Sequence, residues 1–301
     1  LQGSELCAVV EYMYSLEHLT SVFGDGAFAD RLERLAYNAL PATFAPDMWS
    51  HQYVQQVNQV QCTVTPEFGW TTNGPESNLY GLEPNYGCCT SNMHQGWPKF
   101  AAHLWMRTPN DGLAAMAWAP CSVRTLLRGV PVSVDVETDY PFRETITLTV
   151  TPERTTRFPL ALRIPAWAEG ATVQVGAGRA EPAANGGMHV FNREWSGATR
   201  IIVHFPMRAA ITVRYNGAVA VERGPLVYSL RIGEEWARVN ADKPHRELPH
   251  GDFEVRPTTP WNYGLVVDPK RPSEGVRFAE QPVGERPFSP EGAGVVATVR
   301  A

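Results

Sequence analysis

Apolar residues at the start of the chain recur at three- and four-residue intervals, first as Val9, Tyr12, Met13, Leu16 and Leu19, then as Phe28, Leu32, Leu35 and Ala39. That period gathers each set on one face of an α-helix. Ser4 is placed to cap the first helix and Gly24 to end it, while Asp25 caps the second and Pro41 stops it. The reasons are local: Ser and Asp side chains accept from unpaired first-turn amides, and proline cannot continue the helical ladder. A third helix is predicted through His94, Phe100, Ala101 and Leu104 with Thr90 or Ser91 as its cap. Cys88 and Cys89 then fall just before a helix N-terminus, whose positive end favours thiolate over thiol.

From Phe44 to Gly87 the chain is rich in Gln, Asn, Thr, Gly and Pro with scattered Trp and Tyr. It is too polar for a core and too long for a simple connection, as expected of a loop that lines a site. Beyond Asn110 the apolar period shortens to two, in residues 130–136, 145–150, 160–164 and 200–205, rich in β-branched and aromatic types. Turn residues at 176–178 and 185–187 separate these runs, which is the grammar of an antiparallel β-sandwich. A block from Ala218 through Leu230 continues as strand, and the chain after Leu230 reads as strand-poor and rich in Pro and Glu.

The expected fold is therefore α+β and multidomain, with a helical part at 1–108, a β-sandwich at 109–217 and a second, incomplete β-rich domain at 218–301. Both ends read as cut. Two and a half helices do not close a helical domain alone, so their apolar faces are expected to lie open and favour aggregation unless the sandwich shields them.

Composition narrows the class. Over 301 residues, 44% hydrophobic and 10% aromatic content fits a globular protein with sizeable cores. With 26 basic against 31 acidic residues the net charge is −5, without a block of like charge. That argues against nucleic acid and for a neutral or weakly charged small-molecule partner. No run approaches the roughly 18 apolar residues of a spanning helix, so no membrane partner is expected. The five cysteines, Cys7, Cys62, Cys88, Cys89 and Cys121, are too few for a disulfide scaffold. They favour a reducing, cytoplasmic compartment with some of them as metal ligands. Oligomeric state is not legible.

The candidate chemistry lies in Glu5-Leu-Cys7 and the adjacent Cys88-Cys89. Glu5 and Cys7 stand at a helix entrance, where non-helical backbone lets both point one way. An ordinary disulfide between neighbouring cysteines is strained, whereas a loop turns both sulfurs toward a metal. Three thiolates and a carboxylate complete a tetrahedral zinc shell. The alternative is that Cys7 is a buried helix residue and the adjacent pair a coincidence. A closed shell also normally marks a structural site, so catalysis there requires a ligand that is itself the reactant. Cys62 and Cys121 read as small buried residues, His94 as a cap or packed ring, and Trp49, Trp70 and Trp97 as a sugar platform or core.

Glu5-Leu-Cys7 followed by Gly87-Cys-Cys-Thr-Ser-Asn92 resembles the metal-site signature of the β-L-arabinofuranosidase family of glycoside hydrolases. Residues 137–142, 160–167, 223–228 and 260–263 resemble the same family's β-domain hallmarks, in the same order. The resemblance implies the remnant of an N-terminal helical (α/α) barrel followed by β-sandwich domains. It implies that Glu5, Cys7, Cys88 and Cys89 hold zinc and that Cys88 is the nucleophile of a retaining hydrolysis. It also implies a small-molecule or oligosaccharide substrate, and that Glu33 and Tyr53 contact its sugar; the bland alternatives for these two are a helix ion pair and a packed aromatic. The general acid of such a family would lie upstream of Leu1, leaving the fragment inactive by itself. A non-catalytic carbohydrate-binding sandwich with a structural zinc is the competing reading.

Overall fold

The computed structural model describes residues 3–66, 73–82 and 87–301. Helix α1 spans Leu6–Phe23, and its N-cap is Glu5, in extended backbone and without a side-chain cap. Ser4 does not cap it. Ser4–Glu5 forms instead a short strand antiparallel to Val54–Gln55, and the Leu6 amide donates to the Tyr53 carbonyl at 3.0 Å. A distant strand thus satisfies the donor that a local side chain was expected to take. Gly24 ends α1 at φ 65°, with its amide returning to the Thr20 carbonyl. That left-handed geometry favours glycine.

Asp25 caps α2 (Gly26–Arg34) as expected, accepting from the Ala27 amide at 2.9 Å. The chain widens into a π-turn at Leu35–Ala39, and Pro41 opens a tight 3-10 turn. Helix α3 spans Gly87–Ala102 and so includes Cys88 and Cys89 in its first turn. Thr90 is not free to cap it, because its hydroxyl donates to the Leu82 carbonyl and pairs with His51 Nε2, both at 2.9 Å.

Two sheets form the sandwich. One has six strands in the order Glu181–Pro182, Thr172–Val175, Thr199–His204, Thr145–Pro152, Val130–Glu137 and Cys121–Leu127. Alternation makes its inner face: Val130, Val132, Val134 and Val136 are buried and the residues between them are more open. The other orders Gly187–Trp195, Thr156–Ile164, Leu113–Ala115 and Trp105–Arg107. Its pairing is antiparallel except between Leu113–Ala115 and Thr156–Ile164, which run parallel.

The expected domain limits fall in turns between paired strands. Residues 108–109 lie in the hairpin of Trp105–Arg107 with Leu113–Ala115, and 217–218 in that of Ala209–Val213 with Val219–Arg223. The last part of the chain also holds more strand than expected. Glu234–Val239 and Asp252–Pro257 share a sheet with Tyr80–Gly81 and His51–Gln52, and Val276–Glu280 pairs with Val295–Val299. Glu234–Val239 and Asp252–Pro257 mix Arg and Glu with apolar residues, so their period is not written in apolar residues.

One core runs from the helices into the sandwich, from Leu6, Val10, Met13 and Leu16 through Trp118 to Ile146, Leu148 and Phe158. Most of the apolar stripe of α1 is therefore covered by the rest of the chain, with Val9, Met13 and Leu16 buried and Tyr12 exposed. Val22 and Phe23 at its end remain exposed.

A buried polar junction fixes the helices to the sandwich. Glu33 of α2 accepts from the Trp118 amide at 2.7 Å and the Tyr140 hydroxyl at 2.6 Å, and pairs with Arg163. Arg163 is fully buried and also pairs with Asp30 and the Met116 carbonyl. Two of the sequence hallmarks, 137–142 and 160–167, thus supply the residues that hold α2.

Candidate metal centre

Strand pairing and the two helix starts converge on one point. Glu5 sits opposite Val54 at the entrance to α1, Cys7 follows in its first turn, and Cys88 and Cys89 occupy the first turn of α3, which packs along α1. One ligand atom from each of Glu5, Cys7, Cys88 and Cys89 lies within 4.8 Å of all the others. The Cys7 and Cys89 sulfurs are 3.3 Å apart. Tetrahedral zinc, with bonds of about 2.3 Å to sulfur and roughly 2.1 Å to oxygen, sets its ligand atoms roughly 3.5–3.8 Å apart. The observed spacing brackets that value, so small side-chain rotations suffice to close the shell.

The three sulfurs differ in access. Cys89 is buried, Cys7 half-buried and Cys88 exposed. Burial pushes the Cys7 thiol up; the bonds with Cys89 and Asn92 pull the other way, and Cys88 adds to the rise. Burial and the bond with Cys7 push Cys89 up further. Without a cation, packed thiols resist ionising together; a dication reverses that balance, since a coordinating thiol is deprotonated outright. The donor set therefore fits zinc, a borderline-soft ion that takes thiolates and carboxylate.

Tyr53 stands at the edge of this cluster. Its phenol bonds the Glu5 carboxylate and receives Asn73 Nδ2 at 3.3 Å, and burial followed by the Glu5 charge pushes it up to about 12. Glu33 does not belong here. Its carboxylate is wholly buried, and its oxygens bond Trp118, Tyr140 and Arg163 at the junction of helices and sandwich.

The remaining candidates also find places. His94 is exposed and bonds the Thr90 carbonyl at 3.1 Å, outside the cluster. Cys62 is buried and receives the amides of Gln52 and Gln59, with burial pushing it up to about 12. Cys121 is half-buried in a sandwich strand. Trp97 donates to the Ala36 carbonyl and packs on Phe44 and Phe288, whereas Trp49 is half exposed beside His250. Trp70 lies outside the described residues. Asn92, whose amide reaches Cys7, was missed by sequence reasoning; its place four residues after Cys88 on a helix is the signal that points to it.

Two family profiles match the chain. The β-L-arabinofuranosidase GH127 catalytic domain matches residues 1–102 and the GH127 middle domain residues 112–207, together about two thirds of the sequence. The chain belongs to this family. Among solved structures it is similar to a GH127 β-L-arabinofuranosidase from Geobacillus stearothermophilus T6, with TM-score 0.64 and 21% identity over 85% of this chain and 47% of that one. It is also similar to a second GH127 β-arabinofuranosidase, with TM-score 0.63 and 23% identity over 84% of this chain and 42% of the other. A structure described as a glycoside hydrolase matches with TM-score 0.58 and 18% identity over 85% and 49% of the two chains. At these identities the likeness establishes the mixed α+β fold, and the GH127 chain spans about half the length of the structures it matches. No curated protein matches it in sequence. Among the described residues no helix is long and apolar enough to cross a membrane.

Proposed function

We propose that this GH127 chain is part of a retaining glycoside hydrolase acting on β-L-arabinofuranosides or a related sugar, with Cys88 as its nucleophile. The supporting observation is the convergence of Glu5, Cys7, Cys88 and Cys89, with Cys88 the most exposed of the four. Glu5, Cys7, Cys88 and Cys89 would hold zinc, which when bound keeps the Cys88 sulfur ionised at neutral pH. Cys7 and Cys89, more enclosed, serve as supporting ligands. Exposure lets the Cys88 sulfur reach an anomeric carbon, where a sulfur–carbon bond forms as the glycosidic carbon–oxygen bond breaks. A carboxylic acid protonates the departing oxygen and then takes a proton from the water that releases the sugar with retained configuration. In the family resemblance that acid lies upstream of the Glu5-Leu-Cys7 motif. In the same reading α1, α2 and α3 belong to the helical barrel of the longer protein, and Tyr53 borders the sugar site while bonding Glu5.

The test is Cys88→Ser in the longer protein, assayed on an aryl β-L-arabinofuranoside with zinc content measured in parallel. Loss of at least about a thousandfold in kcat with the fold intact supports the nucleophile. Unchanged activity with zinc still bound defeats the assignment and leaves a structural zinc site.

A further inference from the structure

The Cys7 sulfur has a neighbour outside the four ligands. Asn92 Nδ2 lies 3.1 Å from Cys7 Sγ and 3.1 Å from the Cys88 carbonyl oxygen. At the other end of the same amide, Asn92 Oδ1 accepts from Gln95 Nε2 at 3.1 Å, and that nitrogen is also 3.4 Å from the Ser91 carbonyl. Residues 88, 92 and 95 are spaced to share one face of α3, so the chain Gln95 to Asn92 to Cys7 joins α3 to the start of α1.

The direction of these bonds follows from the groups themselves. A primary amide has one donor end and one acceptor end, and the Gln95 nitrogen can only donate. It therefore claims Asn92 Oδ1 and turns the Asn92 NH2 toward sulfur. A flipped amide would set two donors against each other and put its oxygen against a thiolate.

We infer that Asn92, oriented by Gln95, is a positioning residue for the metal centre: its N–H bond holds the Cys7 sulfur in its ligand position and ties it to the Cys88 backbone. The inference rests on the proposed zinc reading. Three thiolates and a carboxylate around a dication leave excess negative charge, and a neutral donor on one sulfur offsets part of it without competing for the metal. Asn92 acts through Cys7 and touches neither metal nor sugar in this role.

The experiment measures zinc affinity of the 301-residue chain by competition with a chromophoric chelator, for wild type, Asn92→Ala, Asn92→Asp and Gln95→Leu. The cobalt-substituted forms are compared by their thiolate-to-metal charge-transfer band, which a purely structural role would not move. Asn92→Ala is expected to weaken zinc about 10- to 100-fold, the usual range for outer-shell partners of ligands. Asn92→Asp should weaken it further, and Gln95→Leu in the same direction by less. The cobalt band should shift in both Asn92 variants. Should Asn92→Ala not fold by circular dichroism, Gln95→Leu decides, since it leaves Cys7 and Asn92 in place. Tight wild-type binding with every folded variant within about twofold and an unshifted band overturns the inference while the zinc reading stands. A wild-type chain that takes up no zinc overturns both.

Discussion

Replacing Glu33 with alanine removes one acceptor shared by three donors at the junction of helices and sandwich. The Trp118 amide and Tyr140 hydroxyl lose bonds of 2.7 and 2.6 Å, and fully buried Arg163 is left with Asp30 and the Met116 carbonyl. Each unsatisfied buried donor costs roughly 1–3 kcal/mol. Breaking a buried ion pair from one side costs about 3–5 kcal/mol. These effects overlap at one carboxylate and do not simply add, so the expected loss is about 3–5 kcal/mol in all. At about 2–4 °C per kcal/mol for large domains, the melting temperature should fall by roughly 6–20 °C. Near-ultraviolet circular dichroism is a suitable assay, because Trp118 lies at the junction and is itself buried. Glu33→Leu combined with Arg163→Met should recover part of the loss, since it removes the buried guanidinium, although Asp30 loses its cation and the Trp118 and Tyr140 donors stay unmet. A Glu33→Ala protein melting within about 2 °C of wild type would refute the junction role. If its longer parent instead showed a raised KM with unchanged melting, Glu33 would be a sugar contact after all.

Further outcomes follow from the same geometry. Glu17 of α1 is buried facing His103 Nδ1 at 2.9 Å, and burial raises its carboxyl from 4.5 to about 7, with the His103 and Lys99 charges pulling the other way. A raised carboxyl favours the neutral acid in the fold, so its stabilising contribution is complete below pH 4.5 and is lost as pH rises through about 7. Glu17→Gln should flatten that decline and gain about 1–3 kcal/mol at pH 8, measured by urea unfolding across pH; an unchanged profile would contradict it. In metal-free protein, iodoacetamide should label exposed Cys88 before Cys7 and Cys89, whose thiols burial pushes up, and peptide mapping that finds equal labelling would count against this ordering. Tyr53→Phe removes the phenol bond to Glu5 and should weaken zinc binding about tenfold, read by chelator competition; unchanged affinity would show that the bond does not orient Glu5.

Much of the site was legible because its chemistry is local in sequence. Glu5 with Cys7 and Cys88 with Cys89 are short motifs of metal-ligand type, and the Asp25 cap and Gly24 stop follow from residue-by-residue backbone rules. What escaped depends on partners far along the chain. Ser4 looked like a cap because the strand at 54–55 that takes its segment is fifty residues away. Thr90 looked like a cap because His51 and Leu82, which hold its hydroxyl, are not helix neighbours. Glu33, in a charged helix run, reads as a surface residue until Tyr140 and Arg163 fold over it. The strand Asp252–Pro257 pairs with Tyr80 of the earlier loop, and no periodicity within either segment encodes that pairing.

The central claim is that four side chains from two helix starts form one zinc centre. Metal analysis by inductively coupled plasma mass spectrometry on gently purified protein tests it most directly. The account predicts about one equivalent of zinc in wild type and its loss in Cys7→Ser and Cys89→Ser variants that remain folded. Fewer than about half an equivalent in wild type, or full zinc in both variants, would contradict it.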